Sequence, residues 1–92
     1  MPESKKRYAV YEIECNTPNH RYVGMSGNVY SRLGSHLLGR GTWFTRTYGT
    51  KWAYIVCFVE TRDEALRVER EWRRVLKSRG YIVGGGGIVT PR

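Results

Sequence analysis

Ninety-two residues make one small domain, with room for a single thin hydrophobic core and little surface for a second function. A hydrophobic content of 40%, rich in Tyr and Trp, argues for a folded globule and excludes a disordered basic tail. Sixteen Lys+Arg against eight Asp+Glu leave a net charge of +8, mostly from arginine, whose planar fork suits phosphate, so the balance points to a polyanion and first to nucleic acid.

Residues 1–6 read as a flexible basic lead, and the folded domain spans 7–92. From Arg7 to Glu14 the sequence alternates Tyr, Val, Tyr and Ile with small or charged residues, the period of a strand with one dry face. Asn16-Thr17-Pro18-Asn19 is a turn, and Arg21-Tyr22-Val23-Gly24-Met25 returns as the second strand of an antiparallel hairpin. That pairing brings Tyr11 near Tyr22. Asn28 then stands as the N-cap of a helix that Gly39 ends. At about 100° per residue, Val29, Tyr30, Leu33 and Leu37 share its apolar arc, and Arg32 and His36 stack beside it.

Arg40 to Lys51 reads as a loop with aromatics among cations. Trp52 to Val59 is almost continuously apolar and predicts a central strand covered on both faces. Thr61-Arg62-Asp63-Glu64 is a capping box, opening a helix that runs to about Arg79 with Ala65, Val68, Trp72, Val75 and Leu76 as its buried stripe. Glu69 falls at the edge of that stripe, where a carboxylate is rare unless paired or ligating. Of its rivals, Glu71 points to solvent and Glu64 belongs to the cap. Tyr81-Ile82-Val83 can add an edge strand before the flexible glycine run Gly84 to Gly87. The fold class expected is a small α/β domain, a three-stranded antiparallel sheet flanked by helices.

Two cysteines, Cys15 and Cys57, are too few for a disulfide scaffold and predict reduced thiols in a cytoplasmic protein. Cys15 and His20 supply two zinc ligands at most. The polar N-terminus predicts no signal peptide, and no apolar run is long enough to span a membrane, so no membrane partner is expected.

The ordered set Ala9-Val10-Tyr11, Tyr22-Val23-Gly24, Arg32, His36 and Glu69 resembles the GIY-YIG nuclease family over Arg7 to about Val83. Ala9 and Val10 replace the usual Gly and Ile with similar shapes. The asparagine that many members carry shortly after the glutamate is missing, the only asparagines being Asn16, Asn19 and Asn28. The resemblance implies a metal-dependent endonuclease that hydrolyses DNA phosphodiester bonds. It places Tyr11, Tyr22, Arg32, His36 and Glu69 in the catalytic site, with Tyr22 the favoured proton acceptor and Gly24 allowing close packing beside it. Glu69 would hold the ion, Mg2+ or Mn2+ in its place, at a hard oxygen site. Arg40, Trp43, Arg46, Tyr48 and Lys51 are the candidate DNA contacts. The DNA partner would be selected by that segment, by a homodimer or by a recruiting protein. Two other readings stand beside this one: a weak or inactive nucleic-acid-binding module of the same fold, and a structural subunit whose basic face docks an acidic protein.

Overall fold

The structure, a computed structural model, describes residues 7–85; the basic lead at 1–6 and the chain after 85 lie outside the described residues. The elements follow as β1 (Tyr8–Glu14), β2 (His20–Ser26), α1 (Val29–Leu37), α2 (Trp43–Tyr48), β3 (Trp52–Val59), α3 (Arg62–Ser78) and β4 (Ile82–Gly85).

Alternation along β1 builds both halves of the core. Ala9, Tyr11, Ile13 and Cys15 join Tyr22 and Val29, with Leu33 of α1 and Phe44 and Tyr48 of α2 packed against them. Val10 and Val23 face the other way, onto Ala65, Val68, Trp72 and Leu76 of α3. The sheet is therefore covered on both sides by helices, as the α/β expectation required. Buried Glu12, on the α3 side, pairs with Arg21 and accepts the Trp72 indole N–H at 2.9 Å, tying α3 to the hairpin through a satisfied polar group.

The sheet itself departs from three antiparallel strands. It has four, in the order β3-β1-β2-β4, and β4 runs parallel to β2. α3 spans the sheet from the β3 side, so the chain re-enters along the free edge of β2 in the parallel direction. The expected edge strand extends into the glycine run: Gly84 pairs with Tyr22 and Gly85 with Val23. A Cβ on Gly84 would stand 2.4 Å from the Phe44 ring and one on Gly85 2.0 Å from the Val23 carbonyl oxygen, so these two glycines are strand and not linker.

Trp52–Val59 is not the central strand. It lies at the sheet edge, with Trp52 58% exposed and Tyr54 and Phe58 also exposed. The register with β1 slips between Val10 and Tyr11, which leaves Val56 without a partner. Ala53 and Ile55 therefore pack on the α1/α2 side and Cys57 and Val59 on the α3 side. Two half-covered segments in opposite phase read as one apolar run.

Helix α1 is turned from its expected arc. Val29 and His36 are buried, whereas Tyr30 is 72% exposed and Leu37 also faces outward. His36 points inward because polar partners await it there, described below. Asn28 makes no side-chain cap; its backbone N–H donates to the Ser26 hydroxyl. The segment expected as a loop contains α2, capped by the Thr42 side chain accepting from the Thr45 N–H. The Thr61/Glu64 capping box of α3 is present in both directions.

Candidate active site

Tyr11 and Tyr22 lie side by side on the α1/α2 face of the hairpin, both buried, with ring centroids 6.3 Å apart. The imidazole of His36, brought in by α1, sits 5.6 Å from the Tyr11 ring and 5.4 Å from that of Tyr22. Its Nε2 is 3.1 Å from the Tyr11 hydroxyl and its Nδ1 2.9 Å from the Thr45 hydroxyl. Thr42 hydrogen-bonds the Tyr22 phenol. Gly24 pairs with Tyr11 across the hairpin, and a Cβ there would stand 2.6 Å from the phenol oxygen. Only glycine lets the Tyr11 ring lie over β2.

Charge reaches this cluster from two sides. Arg32, exposed on α1, draws both phenols toward ionisation and disfavours a charged His36. Glu69, on α3, raises both phenols. It is 2% exposed and so lies within the buried face of its helix instead of at the edge. Burial, the leading cause, pushes Tyr11 and Tyr22 up from the ordinary phenol value, and the Thr42 hydrogen bond partly offsets it for Tyr22. Burial and then Arg32 push His36 down to about 4. Both phenols are therefore protonated and His36 is neutral at pH 7.

That neutral histidine links stability to pH. Unfolded histidine titrates near 6.5 and His36 at about 4, so between those values the unfolded chain binds more protons. Stability is constant from this group above pH 6.5 and falls as pH is lowered toward 4. Urea unfolding should show a loss of roughly 2 kcal/mol between pH 7 and pH 5. A His36→Asn variant, lacking the group, should give a flatter profile; equal profiles would contradict the assignment.

Of the five expected site residues the structure brings Tyr11, Tyr22 and His36 into contact, and the charges of Arg32 and Glu69 are felt by both phenols. Glu71 is exposed and pairs with Arg74, and Glu64 is committed to the cap, as expected. The expected DNA contacts do not share one environment. Arg40, Trp43, Arg46 and Lys51 are exposed on or beside α2, with Lys51 3.9 Å from Glu14. Tyr48 is packed inward, its ring 4.2 Å from that of His20 and 4.8 Å from that of Phe44. Both cysteines are free, and burial pushes the Cys15 thiol up to about 11, which makes it inert.

Three neighbours of the site went unread in the sequence. Arg73, one turn beyond Glu69, lowers Tyr22, and its Nε is buried without a hydrogen-bond partner among the described residues. Thr42 and Thr45 carry the hydroxyls around His36 and Tyr22. Their three-residue spacing is a capping signal, hidden among aromatics and cations that suggested a loop.

The family model described as the GIY-YIG catalytic domain matches residues 7–82. The chain belongs to the GIY-YIG family. No curated protein and no solved structure matches it. GIY-YIG domains are generally nucleases that use divalent metals, so a nucleic acid is the substrate class. The described residues contain no group of three or more His, Cys, Asp or Glu side chains able to cage an ion. The donors in this GIY-YIG site are instead one carboxylate, Glu69, and two phenols, all oxygen, with the imidazole already engaged by Tyr11 and Thr45. Such a set suits a hard divalent ion whose remaining positions go to water and phosphate. Among the described residues, no helix is long and apolar enough to cross a membrane.

Proposed function

We propose that the chain is a metal-dependent endonuclease that hydrolyses DNA phosphodiester bonds, with Tyr11, Tyr22, Arg32, His36 and Glu69 as its catalytic residues. The observation that carries the reading is the buried Tyr11–His36 hydrogen bond, whose phenol feels the charges of exposed Arg32 and buried Glu69. Arg32 binds the scissile phosphate and stabilises the charge that builds on its oxygens. Glu69 would hold Mg2+ or Mn2+, which supplies Lewis-acid stabilisation and a more acidic water when bound.

Tyr11 is favoured over Tyr22 as the entry point for the water's proton, because it alone of the two reaches a nitrogen base. The proton leaves water for the Tyr11 oxygen as the phenol's own proton crosses to Nε2, which yields hydroxide and an imidazolium. Burial and Arg32 oppose that imidazolium in the free protein. A phosphodiester on Arg32 offsets the guanidinium charge, so substrate binding itself strengthens the base. Tyr22 orients the water through its hydroxyl, held by Thr42. Exposed Arg40, Trp43, Arg46 and Lys51 hold the DNA, the Trp43 ring by stacking and the cations on the backbone.

The test is conversion of supercoiled plasmid and branched DNA by the purified chain with magnesium, stopped by a chelator. A Tyr11→Phe, Tyr22→Phe double variant keeps both rings and should remain folded but be slower by on the order of 10²-fold, with a melting temperature lower by several degrees because buried His36 Nε2 loses its partner. Salt-sensitive binding without cleavage would leave the chain a nucleic-acid-binding module of this fold.

A further inference from the structure

We propose that Thr45 is a positioning residue that holds His36 as its Nδ1–H tautomer, keeping Nε2 as the acceptor for the Tyr11 hydroxyl. The catalytic consequence rests on the nuclease reading above; the tautomer does not.

The argument is a count of protons. Thr45 is buried, at 3% exposure, and its hydroxyl oxygen lies 2.9 Å from His36 Nδ1, 3.3 Å from the Thr42 carbonyl oxygen and 3.4 Å from the Thr42 hydroxyl oxygen, which can donate to it or accept from it. The Thr42 carbonyl oxygen can only accept, and with the Thr45 hydroxyl donating to it the lone pair of Thr45 takes the bond from Nδ1–H. A neutral imidazole then has a bare Nε2, which accepts from the Tyr11 hydroxyl at 3.1 Å. Three donors meet three acceptors in one directed chain: Tyr11 to His36, His36 to Thr45, Thr45 to the Thr42 carbonyl. The opposite tautomer needs the Thr45 proton on Nδ1, which forfeits the bond to Thr42, and it turns the Tyr11 proton away from the imidazole. Leaving buried polar groups unmatched in this way is what the observed arrangement avoids.

Gly41 leaves little room for a water to take over the role of the hydroxyl. A Cβ on Gly41 would stand 2.2 Å from His36 Nδ1 and 2.7 Å from the Thr45 oxygen, so the Gly41 backbone closes directly over this hydrogen bond. A substituting water would need the space that Gly41 fills. The Thr45 side chain therefore sets the protonation of Nδ1, and through it whether the Tyr11 hydroxyl has a base behind it at Nε2.

The imidazole 15N spectrum of the full chain at neutral pH tests the proposal without reference to activity. Wild type and Thr45→Ser should both show a protonated Nδ1 and an unprotonated Nε2 for His36, and Thr45→Val should shift the ring toward the Nε2–H form that free histidine favours. With magnesium and plasmid DNA, Thr45→Val should lower turnover on the order of tenfold, the scale for groups that orient a functional histidine, with KM unchanged and turnover restored by Thr45→Ser. An Nε2–H ring in the wild type overturns the proposal, and so does a Thr45→Val protein with the wild-type spectrum and turnover. If Thr45→Val fails to fold, the wild-type and Thr45→Ser spectra decide. A wild type that shows the Nδ1–H ring but cuts no DNA refutes the nuclease reading while upholding the tautomer.

Discussion

Glu69→Gln should reduce magnesium-dependent cleavage by about a thousand-fold, equivalent to roughly 4 kcal/mol of transition-state stabilisation, while DNA binding survives. The substitution keeps the size of the side chain, removes its charge and exchanges one accepting oxygen for a donating amide nitrogen. That charge is buried and is felt by both site phenols. With the carboxylate neutral, the proposed anchor for a hard cation would be lost, whereas Arg40, Arg46 and Lys51 remain exposed and available to a DNA backbone. Titrating manganese against the variant gives a second readout, a weakened dependence on ion concentration. Undiminished nicking by Glu69→Gln would remove the metal assignment.

Arg32→Ala should lower kcat by about a hundred-fold with a much smaller change in KM, because a contact that strengthens as charge builds on phosphate acts on the transition state. Arg32 suits this role by position. Its guanidinium is exposed, yet its field reaches Tyr11, Tyr22 and His36 together. Arg32→Lys should rescue poorly, since an ammonium cannot reproduce the bidentate fork on a phosphate. Removing the charge also relieves His36 in part, so its titration should move up from about 4 in Arg32→Ala while burial, the larger cause, still holds it low, a shift readable by NMR without substrate. Unchanged turnover at saturating DNA would place Arg32 outside the chemistry.

What the sequence determined by itself was local in range. Period-two alternation in Tyr8–Glu14 marks β1 as a strand, but the one dry face it suggested became two, Val10 and Glu12 being buried on the α3 side as Tyr11 and Ile13 are on the other. Thr61 and Glu64 mark the start of α3 because a capping box closes within one turn. The hairpin puts Tyr11 beside Tyr22 through strand pairing alone. Where readings failed, the deciding contacts were distant in the chain. The apolar run Trp52–Val59 hid a register slip against β1 that only the paired strand defines, and β3 thereby became an edge. β4 took a parallel place beside β2 because α3 spans the sheet before it, which no periodicity records. Helix α1 buried His36 and exposed Tyr30 against its hydrophobic arc, because Tyr11 and Thr45, 25 and 9 residues away, offer the imidazole two hydrogen bonds. Hydrophobic periodicity ranks residues by apolarity, whereas the burial of a polar ring depends on partners that the tertiary structure alone assembles.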